Sequence, residues 1–127
     1  MLIIRQAQFA VLSQNETRKF ENWMSAHLYR FFPAECAAAG DDRVMETIRY
    51  GILRAAAHGV ADKRDVCRYI DLMAVFGRDF DRDPKLRWAS DILARRADSR
   101  SRMRALLVAA KAALRKRARK APPTRKA

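Results

Sequence analysis

The 127-residue sequence is poor in the residues that punctuate a chain, with four Gly and four Pro. An all-β fold needs many tight turns, and turns draw on Gly and Pro for backbone angles that other residues avoid. That shortage argues against a sandwich or a barrel. Two cysteines, Cys36 and Cys67, are too few for a disulfide scaffold and read as free thiols of a reducing compartment. No apolar run is long enough to cross a bilayer, and only Leu2, Ile3 and Ile4 separate Met1 from Arg5, too short a run for a secretory signal. The expectation is a soluble, cytoplasmic protein. Acids are missing from one region only. From Arg95 to Ala127 there are 13 basic residues and a single acid, Asp98, so this segment carries +12 of the chain's formal +13. Residues 1–94 hold 14 basic and 13 acidic side chains, a net of +1. The sequence therefore divides by charge into a near-neutral body, 1–94, and a strongly basic C-terminal segment, 95–127.

What is present is helical periodicity. Ser13 and Glu16 have the spacing of a capping box. Phe20, Trp23, Met24, His27, Leu28 and Phe31 then recur at three- and four-residue steps as one apolar stripe, ended by Pro33. Ala-rich residues 34–39 suit a single turn before Gly40. Asp41 and Asp42 open the next helix, where a helix N-terminus favours negative charge. Its face carries Val44, Met45, Ile48, Ile52 and Ala55/Ala56, and Gly59 is its expected C-cap. Asp62 starts a helix with Val66, Ile70, Met73 and Phe76 on its stripe, joined to the last by a link short enough to make the two neighbours. Asp83-Pro84 is an N-cap followed by a favoured first helical residue, ahead of Leu86, Ala89, Ile92 and Leu93. Asp98 or Ser99 caps a final helix lined by Met103, Leu106/Leu107, Ala110 and Ala113/Leu114. Beyond Lys120 the Pro122-Pro123 pair reads as a frayed tail. The expected fold is all-α, a compact bundle of about five or six helices with a basic C-terminal helix.

Chemical motifs are scarce. Asp79, Asp81 and Asp83 alternate as in a calcium loop, but the sixth and twelfth positions are Pro84 and Ser90, where an EF-hand needs Gly and Glu. These acids are better read as caps and partners of Arg78, Arg82 and Arg87. His27 lies on an apolar stripe and His58 just before a C-cap, and neither is in a metal-binding spacing with a cysteine. There is no Gly-rich phosphate loop and no nucleophile elbow. No catalytic, metal or cofactor residue is assigned, and the expectation is a protein that is not an enzyme. Residues 42–77 could be called a helix-turn-helix, but Asp62, Asp65 and Asp71 would then face a phosphate-lined groove, which is unfavourable. The basic segment offers Arg104, Lys111, Arg115, Lys116, Arg117, Arg119 and Lys120 to polyanions. It carries no aromatic residue to stack on bases or to anchor in a membrane interface.

The stretches Arg49-Tyr50-Gly51-Ile52, Arg54-Ala55, His58-Gly59, Asp65-Val66-Cys67-Arg68-Tyr69-Ile70-Asp71-Leu72-Met73 and Phe76 to Pro84, with Trp88, Ile92 and Leu93, resemble a family of small, mostly uncharacterised bacterial proteins. Members of that family are encoded beside type VI secretion effectors and their spike, PAAR-repeat and chaperone proteins. Ile3-Ile4-Arg5, Gln8, Phe20, His27-Leu28, Phe32-Pro33 and Cys36 also resemble it, so the likeness covers roughly residues 1 to 94. The basic extension after Arg95 departs from it.

The resemblance implies a cytoplasmic adaptor or co-chaperone that holds, loads or regulates an effector, needing no cofactor. A helix bundle can do this by presenting a face or groove. Candidate aromatic anchors are Trp23, Tyr50, Tyr69, Phe80 and Trp88, each of which could instead be core. The expected partner surface is Phe80 and Trp88 flanking the acidic loop, with Tyr69, Asp79 and Asp81. Competing expectations are an immunity protein against a toxin, or a nucleic-acid-binding protein acting through the basic segment.

Overall fold

A computed structural model describes residues 14 to 120. Among the described residues there are six α-helices and no strand, as the sequence leads one to expect. They are α1 (Gln14–Phe31), α2 (Pro33–Ala39), α3 (Asp41–Ala57), α4 (Lys63–Phe76), α5 (Arg87–Leu93) and α6 (Ser99–Lys120), with a 3-10 turn at Pro84–Leu86. The Ser13 capping box, the leader before it and the Pro122-Pro123 tail lie outside the described residues. No described helix is long and apolar enough to cross a membrane.

Helix ends follow the local chemistry. Pro33 stops α1 but also opens α2, occupying the first helical position where its missing N–H costs nothing. The Asp62 side chain accepts from the Asp65 N–H at 3.3 Å and starts α4. At the end of α3, Gly59 has φ +78°, the Gly59 N–H returns to the Ala56 carbonyl, and the Val60 N–H returns to Ala55. This is a Schellman closure, and fully buried Val60 supplies its apolar contact. The chain thereby reverses within five residues, and α3 and α4 pack together.

Packing divides the chain at a different place from charge. One unit ends at Phe80 and the other begins at Asp81. In the first, α1 packs on α2, α3 and α4, and α3 packs on α2 and α4. Phe20, Met24 and Leu28 of α1, Val44, Ile48 and Ala55 of α3, and Val66, Ile70 and Met73 of α4 are its core. Fully burying a side chain of this size contributes about 1.5–3 kcal/mol. In the second unit α5 packs on α6, with Ala89, Ile92, Leu93, Met103, Leu106 and Ala110 buried. The Arg102 guanidinium donates to the Leu93 carbonyl at 2.8 Å and the Ala97 carbonyl at 3.1 Å. Leu93 ends α5, so Arg102 satisfies a carbonyl that the helix leaves without a partner. The charge boundary at residue 94 thus falls inside a packed pair of helices.

Glu21 is the buried acid of α1. Arg49 of α3 grips it from two nitrogens, Nε at 3.2 Å and an Nη at 3.3 Å. Arg49→Ala is expected to lower the urea midpoint, because it leaves the buried Glu21 carboxylate without the guanidinium that grips it. Arg49→Lys should recover only part, since an ammonium cannot reproduce the two-pronged grip. Urea denaturation of the three proteins checks both.

Candidate functional site

The α1 stripe expected from the sequence is two rows in the structure. Phe20, Met24 and Leu28, spaced by four, are buried. Trp23, His27 and Phe31, also spaced by four, form the adjacent row, with Trp23 55% and Phe31 58% exposed and His27 part-buried between them. A helix packed on its neighbours buries only part of so wide a face, and Trp23 and Phe31 stay largely in solvent. The outer row is ordered by ring contacts. Trp23 stacks on His27 with centroids 5.2 Å apart and planes 19° apart, and the Phe31 ring meets the imidazole at a tilt of 51°, 4.9 Å away.

Beside this row lies a groove of about 550 Å³ between α1 and α4. Phe20 and Trp23 form its apolar wall, Cys67 lies within it, and Lys19, Lys63 and Arg64 stand on its rim with Glu16. Lys63 pairs with Glu16 at 3.6 Å, which leaves the rim's formal charge positive.

At the junction of the two helices three side chains meet. His27 Nε2 lies 2.9 and 3.1 Å from the two Asp71 oxygens, and Cys67 Sγ lies 3.7 Å from the same nitrogen. Cys67 Sγ is also 4.0 Å from Asp71 Oδ2. Cys67 and Asp71 share a face of α4 because they are one turn apart. His27 comes from a helix 40 residues earlier. Burial, then the Asp71 charge, push the Cys67 thiol up to about 12, so at neutral pH the sulfur is protonated. Burial also raises Asp71, against the opposing bond and charge of His27.

The trio names the residues of a nucleophilic triad, but its geometry is not one. A triad imidazole uses one nitrogen for the nucleophile and the other for the carboxylate, so that a proton crosses the ring. Here Nε2 faces both Asp71 and Cys67, and no such relay is possible.

The expected surface around Phe80 and Trp88 is not what forms. Phe80 and Tyr69 are buried, at 1% and 0% exposure, and their rings meet at 5.0 Å, so neither is a surface anchor. Asp81 is buried too, and Trp88 is half-buried. Asp79 is exposed but serves the fold, accepting from the Tyr50 hydroxyl. Arg78 stacks over the Tyr50 ring at 3.9 Å and pairs with Glu46 at 3.2 Å, closing a network between α3 and the turn after α4. An apolar residue beside an acidic loop reads the same from sequence whether it points in or out. Of the polyanion candidates, Arg104, Lys111, Arg115, Lys116, Arg117 and Arg119 are exposed along α6, and Lys120 ends that helix.

Compared with family models, curated proteins and solved structures, the chain finds no match.

Proposed function

We propose that this chain is a non-enzymatic accessory protein of the bacterial cytoplasm, an adaptor or co-chaperone that binds a type VI secretion effector or its chaperone. The observation that carries the reading is the row Trp23–His27–Phe31 beside a groove with a basic rim. Two large aromatic side chains, more than half exposed and two turns apart on one helix, are the form of a helix-face recognition site. The chemistry selects an amphipathic helix whose apolar ridge enters the groove and whose acids meet Lys19, Lys63 and Arg64. The class of partner comes from the resemblance of residues 1 to 94 to proteins encoded beside such effectors.

The test is nuclease-treated co-purification with the neighbouring effector, spike and chaperone proteins, comparing wild type with the Trp23→Ala/Phe31→Ala double variant. Loss of two central aromatic anchors is expected to weaken binding by about thirtyfold or more. Binding at wild-type strength by the double variant, or none of the three proteins retained by wild type, would sink the reading. A second reading, a polyanion-binding protein, is favoured by the exposed cations along α6.

A further inference from the structure

We propose that His27, Cys67 and Asp71 form a binding site for a divalent transition ion, zinc above all, that clips α1 to α4. Three different donors converge there, one nitrogen, one sulfur and one carboxylate, all within 4.8 Å of one another. That mixture suits a borderline ion; calcium and magnesium want oxygen alone. The spacing fits as well. Zinc bonds of about 2.3 Å to sulfur and about 2.0–2.2 Å to nitrogen and oxygen, at tetrahedral angles, set donors about 3.4–3.6 Å apart. With Asp71 Oδ2 as the oxygen, the observed edges are 3.7 Å from sulfur to nitrogen, 3.1 Å from nitrogen to oxygen and 4.0 Å from sulfur to oxygen. Small side-chain rotations even these out.

The feature that defeats a catalytic triad favours a metal. One imidazole nitrogen aimed at both a carboxylate and a thiol has no use in proton relay. It is what a shared ion between the three requires. Ring contacts with Trp23 and Phe31 help to hold the imidazole in this orientation. A carboxylate only accepts, so without an ion Nε2 carries the proton and donates to Asp71. An entering M²⁺ takes the place of that proton, which passes to Nδ1 through solvent so that the imidazole stays neutral; the Cys67 thiol proton is lost to water, and the ion bonds the imidazole nitrogen, the thiolate and one carboxylate oxygen. The side chains of His27 and Asp71 are 19% and 31% exposed, which gives the ion a way in. Three protein donors leave a fourth position for water. This site does not depend on the adaptor reading. It stands if no secretion protein binds.

The experiment is cobalt titration of the untagged full-length chain, followed by near-ultraviolet and visible absorption. We expect saturation at about one cobalt per chain, with a thiolate-to-cobalt charge-transfer band and the visible bands of a tetrahedral ion, both bleached by zinc. Cys67→Ser should abolish the charge-transfer band, and Cys36→Ser should keep it, separating the two thiols. Asp71→Asn should weaken cobalt binding by at least about tenfold. Circular dichroism shows whether each variant retains its helices. If Cys67→Ser does not fold, a band retained in Cys36→Ser still assigns it to Cys67, the only other thiol of the chain. A helical wild-type protein with no charge-transfer band would overturn the site, and so would a band lost in Cys36→Ser but kept in Cys67→Ser.

Discussion

Replacing Gly51 by Leu should lower the thermal midpoint of the protein by about 15 °C. Gly51 sits inside α3 where α4 passes closest. A Cβ built on it would lie 2.6 Å from Ile70 Cγ1 and 2.9 Å from Met73 Sδ. Neither atom is the free end of a side chain, and Ile70 and Met73 are themselves buried, so relief requires moving α4 rather than turning a rotamer. Overpacking of this kind costs about 1–3 kcal/mol, and a domain of this size shifts by about 4–8 °C per kcal/mol. Gly51→Ala is the sharper comparison, because alanine gains about 1 kcal/mol of helix propensity over glycine while meeting the same two atoms. It should still destabilise, by less than Leu. Pairing Gly51→Leu with Ile70→Ala should cost less than the two changes separately, since each vacates or fills the same space. Strict additivity, or an unchanged midpoint for Gly51→Leu, would mean that the two helices do not touch there.

Much of this contact's setting is legible in the sequence, but not the contact. The short link from His58 to Asp62 makes α3 and α4 neighbours, Gly59 is the one residue suited to the positive φ of the turn, and Asp62 caps α4. Each is a local signal with a local cause. Gly51 carries no such mark, because a glycine inside a helical pattern says only that something comes close. The α1 stripe divides for a related reason. Periodicity puts six apolar positions on one broad face, and it takes the neighbouring helices to decide that Met24 goes inward and Trp23 outward. Burial of Tyr69 and Phe80 is likewise undecidable from spacing, since both are equally open to a core reading. Pro33 reads in the sequence as a stop, although its fixed φ suits the start of α2 equally well.

The His27–Cys67–Asp71 cluster marks the limit of reading by spacing. Half of it is available, because Cys67 and Asp71 are one turn apart on a predicted helix. The third member comes from α1, and no local rule joins positions 27 and 67. Metal motifs are recognised when their ligands share a turn or a hairpin; donors drawn from separately packed helices are found only once the helices are placed. Trp23 and Phe31 lie one turn to either side of His27 on α1, so the aromatic row and the donor cluster are parts of one surface. An ion at the cluster would fix the middle of that row and hold the groove walls in register.

Neutralising Lys111, Arg115, Lys116, Arg117 and Arg119 together, each to Gln, is expected to weaken binding to a random DNA duplex by at least about a hundredfold at low salt. It should also make the log–log dependence of affinity on salt shallower, by about three for the Lys111, Arg115 and Arg119 side that one duplex can meet. These side chains are exposed on the later turns of α6, and each that neutralises a phosphate releases a counterion, which gives the binding its salt dependence. Gln keeps helix propensity close to that of Lys and Arg, so α6 should persist. Cutting the chain at Ala94 would be a poorer experiment, because it strips Met103, Leu106 and the Arg102 cap from α5 and confounds lost charge with lost packing. Salt-independent affinity in the wild type would remove polyanions from consideration. The quintuple variant also separates the two functional readings, since the α1–α4 groove and its basic rim contain none of the altered residues. Undiminished capture of a secretion partner would leave the groove as the working surface and the basic helix as an added, unspecific affinity. Loss of that partner together with the DNA would move the binding surface to α6, and Trp23 and Phe31 would then need another explanation.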